Sequence, residues 1–289
     1  MSALLRLLRP HQWVKNAFVA APLVFAHRLN DAASAMRTAA AVVAFCLLSG
    51  AVYAFNDVRD VEPDRNHPTK RRRPVASGQI SSRTALVVAS CLAGVALTGS
   101  LAISWKLAIF AGLYAAQNIA YSFGLKRVAY LDVALISAGF LLRVLAGAAA
   151  IDVPASKWLL LCTGLLAALL ALGKRAHELS WMEHIETTTA TRAALAGYKL
   201  ATVRRALPIL AAVTCGSYIG YTLAPHTVAT FGTRGLVWTA PFVAIALGRF
   251  LALSLRRSQA EPPTEAMLRD PVVIGNVVAA TATALYAIY

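Results

Sequence analysis

Three aspartates stand close together in an otherwise apolar part of the chain. Asp57, Asp60 and Asp64 follow Asn56 in the stretch NDVRDVEPD, at spacings of three and four residues. If the preceding helix continues through this stretch, all three carboxylates lie on one helix face. Like charges in that arrangement repel, and the negative end of the helix dipole disfavours them further. We therefore predict that Asn56 and the three aspartates bind a divalent cation such as Mg²⁺, which prefers oxygen ligands, and that the aspartates serve in catalysis.

A run of basic residues follows in TKRRRP. Lys70, Arg71 and Arg73 lie in this run, between Pro68 and Pro74, and the two prolines keep it from forming a plain helix. Arginine contacts phosphate through paired hydrogen bonds, and lysine contacts it as a point charge. Beside a magnesium site, these cations are suited to a substrate phosphate, whereas by themselves they also fit a basic anchor at a membrane surface.

Two further polar groups stand at the ends of apolar segments. Tyr121 and Lys126 belong to YSFGLK, whereas Lys174, Arg175 and Glu178 belong to GKRAHE. We predict that these residues contact the same substrate phosphates. The alternative is that Tyr121 and Lys126 are ordinary residues of a membrane interface and that Lys174 pairs with Glu178, four residues further on.

Polar residues also occur within the apolar segments. Arg143 lies in the middle of one of them, where a charged side chain is costly and usually faces a cavity or a partner. Lys15 and Asn16 stand at the start of another apolar segment. We predict that these three residues face one polar cavity and help to bind the substrate phosphates.

The elements that hold these residues are membrane-spanning helices. The chain has 289 residues, 58% of them hydrophobic and 14% charged, with a mean hydropathy of +0.61, which is unlike a soluble domain. Long stretches with little or no charge are typical of spanning helices. Nine such stretches cover residues 13–27, 38–55, 84–105, 107–125, 131–151, 158–173, 206–225, 235–248 and 272–289. The predicted fold is therefore all-α, a single polytopic membrane domain over residues 1–289 with nine transmembrane helices.

The distribution of basic residues predicts the orientation of these helices. Few of the 28 lysines and arginines fall in segments that an inside N-terminus would place outside, namely Arg28, Arg37, Lys106, Lys157 and Arg234. This bias predicts a cytoplasmic N-terminus, with loops 56–83 and 174–205 on the cytoplasmic side. It also explains much of the net charge of +15. No basic surface is interleaved with aromatic residues, so nucleic acid is not an expected partner.

The acidic stretch also carries a family resemblance. NDVRDVEPD resembles the NDxxDxxxD motif of the UbiA superfamily of intramembrane prenyltransferases, and RRPVASG resembles the ending that usually follows. RPHQWVKN at 9–16, YSFGLK at 121–126 and GKRAHEL at 173–179 resemble its polyprenyl-phosphate (decaprenyl-phosphate) phosphoribosyltransferase branch. The resemblance implies a helical bundle in the bacterial inner membrane with a central cavity open to the cytoplasmic side. It further implies bound Mg²⁺, with polyprenyl phosphate and 5-phosphoribosyl 1-diphosphate as substrates, and leaves the polyprenyl length and oligomeric state open.

One departure from the superfamily pattern bears on the substrate. Typical users of prenyl diphosphates in the superfamily carry a second aspartate-rich motif after the sixth helix, where this chain has KRAHE. The resemblance therefore favours phosphoribosyl transfer with release of diphosphate. The first alternative is a UbiA-type prenyltransferase that acts on an aromatic or other small acceptor. The second is a transporter of phosphorylated metabolites, which should show stronger internal repeats and polar residues near the midplane of the membrane.

Overall fold

The structure is a computed structural model that describes residues 2–184, 193–255 and 263–288. All regular structure in these ranges is helical. The chain forms two compact units, which we call the first unit (residues 1–124 and 139–155) and the second unit (residues 125–138 and 156–289). A single domain over the whole chain stays a prediction.

The first unit is built around one long helix, α3, which packs against two other long helices. Its elements are α1 (Ala3–Leu8), a 3₁₀ helix (Pro10–Val19), α2 (Ala21–Phe25), α3 (Ala32–Arg59), α4 (Val61–Arg65), a short 3₁₀ helix (Lys70–Arg72), α5 (Ser82–Ile103), α6 (Trp105–Phe123) and the second half of α7 (Leu131–Ala150). Phe45 and Leu48 on α3 and Leu107 on α6 are buried in one hydrophobic cluster. This packing fixes the end of α3 that carries the acidic motif.

The second unit has its own hydrophobic core. Its elements are a 3₁₀ helix (Leu125–Arg127), the first half of α7, α8 (Lys157–His184), a 3₁₀ helix (Ala193–Gly197), α9 (Leu200–Leu223), α10 (Pro225–Phe231), a 3₁₀ helix (Gly235–Thr239), α11 (Ala240–Leu255), α12 (Pro263–Arg269) and α13 (Pro271–Ile288). Leu169, Leu207 and Phe250 are buried together in this core. A methyl group on Gly173 would lie 2.3 Å from the Phe250 ring, so α8 and α11 approach closely where α8 carries the KRAHE sequence.

Seven helices in the described ranges are long and apolar enough to cross a membrane. They are α3, α5, α7, residues 157–181 of α8, α9, residues 235–255 and α13. The all-helical, multi-span character is thus confirmed, but the number of nine spans is not. The predicted span 107–125 forms α6, which is not among the seven and carries the polar residues Gln117 and Asn118.

The predicted first span, residues 13–27, is not one continuous α-helix. It consists of the end of the 3₁₀ helix and the short α2. Pro22 explains the interruption, because its ring would clash with the carbonyl group of Phe18 in a continuous α-helix. The backbone of α7 packs directly on this segment, since a methyl group on Gly147 would lie 1.9 Å from the carbonyl oxygen of Val19.

Candidate functional site

The acidic motif spans the end of α3 and the start of α4. Asp57 lies in the last turn of α3, which ends at Arg59, and Asp64 lies in α4. Pro63 gives the reason for the break, because its ring would clash with the carbonyl group of Arg59 in a continuing α-helix. The helix therefore does not continue through the motif, and its acids do not share one helix face. Asp60 caps α3, and its backbone N–H bonds to the carbonyl oxygen of Asn56 at 2.9 Å.

Asp57 and Asp64 meet at the guanidinium of Arg73. Arg73 Nη1 lies 2.6 Å from Asp64 Oδ2 and 3.4 Å from Asp57 Oδ1. Arg9 also donates a hydrogen bond to Asp57 Oδ1. Both carboxylates are almost completely buried, whereas the two arginines keep about a quarter of their side chains exposed. Burial lowers the pKa of Arg9, and the charge of Asp57 opposes that shift.

One carboxylate oxygen in this cluster has no hydrogen-bond donor. Asp57 Oδ2 is buried and unpartnered among the described residues, and a buried oxygen in that state favours a cation or a donor from a ligand. No group of three acidic, histidine or cysteine side chains in the described ranges is arranged to hold a metal ion. Asp57 and Asp64 therefore fit a cation as a pair of ligands, of the kind that Mg²⁺ uses together with substrate phosphates.

Asn56 is oriented by a neighbouring helix. The Ser122 hydroxyl of α6 contacts Asn56 Oδ1, and it also donates to the carbonyl oxygen of Asn118 at 2.8 Å. Tyr121, the residue before Ser122, is half-buried. The roles of Asn56 as a metal ligand and of Tyr121 as a phosphate contact stay predictions.

The basic run forms a short turn, as its flanking prolines predicted. Lys70–Arg72 is a single 3₁₀ turn, and Arg73 follows in an extended conformation. Lys70 and Arg71 are exposed, while Arg73 turns back to the acids. His67 Nδ1 accepts the backbone N–H groups of Thr69 and Lys70 at 3.3 and 3.4 Å. Burial, and then the charge of Lys70, lower the pKa of His67, so its ring stays neutral and can accept both.

Arg143 and Asn16 meet in the interior of the first unit. Arg143 Nε donates to Asn16 Oδ1 at 2.9 Å, and Arg143 Nη2 donates to the Tyr114 hydroxyl at 2.8 Å. Arg143 Nη1 bonds to the carbonyl oxygen of Gly139 at 3.0 Å. All three nitrogens of this guanidinium therefore have protein acceptors. Lys15, next to Asn16 in sequence, is exposed, and the proposed phosphate contacts of these residues stay predictions.

In the second unit, the KRAHE sequence forms a buried ion-pair network. Arg175 is 1% exposed, and its Nε donates to Asp132 Oδ2 at 2.7 Å. Its Nη1 contacts Glu178, one turn further along α8, whose side chain is 26% exposed. Lys174 is exposed, and Lys126 lies half-buried in the 3₁₀ helix before α7.

A tyrosine completes this network. The Tyr198 hydroxyl donates to Asp132 Oδ1 at 2.6 Å and accepts the backbone N–H of Tyr130 at 2.8 Å. Burial and the bond to Asp132 raise the pKa of Tyr198, so it remains a neutral hydroxyl. The rings of Tyr130 and Tyr198 also pack at a centroid distance of 4.5 Å.

The sequence matches the model of the UbiA prenyltransferase family over residues 17–269. This chain belongs to the UbiA prenyltransferase family. It is 37% identical to decaprenyl-phosphate phosphoribosyltransferase of Mycolicibacterium smegmatis over 288 residues, which cover 94% of this chain and 88% of the relative. It is 36% identical to the protein of the same name from Mycobacterium tuberculosis over 247 residues, which cover 79% of this chain and 81% of the relative.

The UbiA fold itself is confirmed by solved structures. A UbiA homolog from Archaeoglobus fulgidus, bound to DMAPP and Mg²⁺, superposes with a TM-score of 0.75. The alignment covers 99% of each chain at 17% sequence identity. A likeness at this level of identity supports the fold, while a central cavity open to the cytoplasm stays a prediction.

Reasoning from the sequence of this UbiA chain missed Arg9, Asp132 and Tyr198. Arg9 opens the RPHQWVKN stretch, and its position there could have drawn attention to it. Asp132 is the single acid at the start of an apolar segment, which is a signal for a buried partner because an acid within a membrane span is rare. No local sequence pattern indicates Tyr198, because its partners are 66 and 68 residues away.

Proposed function

We propose that the protein transfers the 5-phosphoribosyl group of 5-phosphoribosyl 1-diphosphate to a polyprenyl phosphate and releases diphosphate. The relatives named decaprenyl-phosphate phosphoribosyltransferase, which align with most of the chain, support this proposal. The observation that supports this proposal most directly is the ion pair between Glu178 and Arg175. The only acid in KRAHE is bound to a buried arginine, which fits poorly with a second metal site for a prenyl diphosphate.

The acidic cluster of the first unit is the proposed place for the diphosphate of the donor. Asp57 and Asp64 would hold Mg²⁺, with Asn56 and Asp60 beside them, and when bound the metal neutralises the negative charge of the leaving diphosphate. Arg73, Lys70 and Arg71 would contact the phosphate oxygens. Positive groups placed where negative charge develops lower the barrier to its departure.

The acceptor needs little activation by the protein. A polyprenyl phosphate is already ionised at neutral pH, so one of its oxygens can attack C1 of the ribose as the bond from C1 to the diphosphate oxygen breaks. Lys15 and Tyr121 are proposed contacts for the remaining phosphates, and the phosphate contacts of Lys126 and Lys174 stay predictions. The active site and the N-terminus would lie on the cytoplasmic side of a bacterial inner membrane, where the soluble donor is found.

A parallel assay tests the proposal against its alternative. Purified protein with Mg²⁺ is given labelled phosphoribosyl diphosphate with polyprenyl phosphate, and separately a labelled prenyl diphosphate with an aromatic acceptor. We expect a phosphoribosyl lipid in the first reaction and no prenylated product in the second. Turnover of the prenyl diphosphate without phosphoribosyl transfer would instead establish a UbiA-type prenyltransferase.

A further inference from the structure

A cavity lies in the first unit at the end of α3 opposite the acidic motif. It has a volume of about 300 Å³, and every residue that lines it belongs to that unit: Arg37, Ile103, Ser104, Trp105, Lys106, Ala149, Ala150 and Asp152. Arg37 and Asp57 belong to the same helix, whose rise of about 1.5 Å per residue separates them by about 30 Å. That length is close to the thickness of the hydrocarbon core of a membrane. Because α3 is long and apolar enough to span, the cavity lies at the membrane surface opposite the acidic motif.

The polar side of the cavity has two cations and one acid. Lys106 Nζ donates to Asp152 Oδ1 at 2.7 Å, and both side chains are exposed. The bond from Lys106 and, to a smaller extent, the charge of Arg37 lower the pKa of Asp152, so this carboxylate is ionised at neutral pH. Within the described residues, no ion pair or side-chain hydrogen bond engages Arg37. The cavity therefore has a net positive charge, and the Arg37 guanidinium can donate to a ligand.

The other side of the cavity is apolar. Ala149 and Ala150 are buried at the end of α7, and Trp105, the first residue of α6, is 63% exposed. Tryptophan is enriched where lipid head groups meet hydrocarbon, because its ring is apolar and its N–H is polar. A ligand in this cavity thus meets cations on one side and apolar groups on the other, which fits a membrane lipid better than a free ion.

We infer that this cavity binds the phosphate group of an anionic glycerophospholipid from the leaflet opposite the acidic motif. Arg37 donates hydrogen bonds to the phosphate oxygens, and Lys106 adds a point charge while it remains bound to Asp152. The glycerol and the first acyl carbons of the lipid pack along Trp105. The charge of Asp152 opposes the phosphate. The site is separate from the proposed active site, and the inference does not depend on the proposed function.

Arg37→Gln tests the phosphate contact. Native mass spectrometry of the detergent-purified protein, titrated with phosphatidylglycerol, gives the affinity of the tightest bound lipid. We expect Arg37→Gln to weaken it about three- to tenfold, as for the loss of one hydrogen bond to a charged group. Arg28→Gln is the matched control, because Arg28 is an exposed arginine before the same end of α3 that does not line the cavity. Its affinity for the lipid should change less than about twofold.

Asp152→Asn tests the site in the opposite direction, so that general damage to the structure cannot imitate the result. Asp152 has a left-handed backbone conformation, with φ of 51°, and asparagine adopts this conformation readily. The variant removes the negative charge beside the phosphate and releases Lys106 from its ion pair. We therefore expect it to bind phosphatidylglycerol about two- to fivefold more tightly than the wild type.

A competition experiment distinguishes a lipid from a soluble phosphate. Glycerol phosphate has the same phosphate group without acyl chains, and we expect that it does not displace phosphatidylglycerol when it is present at the same concentration. Displacement would overturn the lipid assignment in favour of a soluble phosphate. The inference is also overturned if Arg37→Gln binds the lipid as Arg28→Gln does, or if Asp152→Asn binds it no more tightly than the wild type.

Discussion

Arg73 Nη1 lies 2.6 Å from Asp64 Oδ2, although nine residues and the exposed basic turn separate the two in sequence. The same nitrogen lies 3.4 Å from Asp57 Oδ1. The acidic motif and the basic run are thus one cluster at the end of α3. Within the run, Arg73 faces the acids while Lys70, Arg71 and Arg72 are exposed, which predicts unequal roles for neighbouring cations.

Arg73→Lys should be far more harmful than the same change one residue earlier. A lysine has one compact donor group and does not reproduce the contact of a guanidinium with two carboxylates. We expect kcat/KM to fall about tenfold to a hundredfold in Arg73→Lys, and less than about twofold in Arg72→Lys. Steady-state assays of both variants check this, and equal losses would contradict the distinct role of Arg73.

Asp57→Asn should abolish the response of the protein to Mg²⁺. If Asp57 Oδ2 receives the metal, Mg²⁺ binding stabilises the folded protein and raises its Tm. We expect the Mg²⁺-dependent rise in Tm to disappear in Asp57→Asn, with turnover reduced by about a hundredfold or more. Glu62→Gln is the control, because the Glu62 side chain is exposed and pairs with Arg65 at the surface. A full Mg²⁺ shift in Asp57→Asn would remove Asp57 from the metal site.

Gly147→Ala should destabilise the first unit severely. The added methyl group would lie 1.9 Å from the Val19 carbonyl oxygen. The backbone could relieve this clash only by moving α7 away from the 3₁₀ helix. Gly99→Ala in α5 places its methyl group in open space and should leave Tm unchanged or slightly higher, because alanine favours a helix by about 1 kcal/mol. Thermal unfolding in detergent compares the two, and equal Tm values would contradict the close packing.

The hydrogen bonds of Arg143 predict that a single and a double variant differ in thermal stability. Arg143→Met leaves Asn16 Oδ1 and the Tyr114 hydroxyl without their partner, at a cost of about 1–3 kcal/mol for each buried group. Adding Asn16→Leu removes the Asn16 oxygen that has lost its donor, and it should recover part of the lost Tm. A normal Tm in Arg143→Met, with a large increase in the KM for either substrate, would favour the direct phosphate contact instead.

The stability that the basic turn gives to the folded protein should decline as the pH falls. The folded pKa of His67 is lowered below its usual value of 6.5, so the unfolded chain binds more protons below about pH 6.5 and stability declines there. The stabilising effect is complete above pH 6.5 and is lost as the pH falls through the lowered pKa. His67→Gln cannot take up this proton, so the fall in Tm between pH 7.5 and 5.5 should be smaller than in the wild type. An equal or larger fall would contradict this account.

The sequence was sufficient for features that depend on composition and local pattern. The spanning helices follow from long apolar stretches, and the turn at Lys70–Arg72 follows from two prolines. The break between Asp57 and Asp64 depends on Pro63, which is a local signal in the sequence. The pairings of Arg9 with Asp57 and of Tyr198 with Asp132 join residues 48 and 66 positions apart. Such contacts depend on how the helices pack, and the periodicity of the sequence does not indicate them.

The most direct test of phosphoribosyl transfer with release of diphosphate follows both halves of the donor. Phosphoribosyl diphosphate labelled in the ribose and in the β-phosphate is incubated with the purified protein, Mg²⁺ and polyprenyl phosphate, and the lipid and aqueous products are separated. The account predicts ribose label in the lipid and β-phosphate label in free diphosphate, in equal molar amounts. Diphosphate release without ribose label in the lipid, or both labels in the lipid, would contradict it.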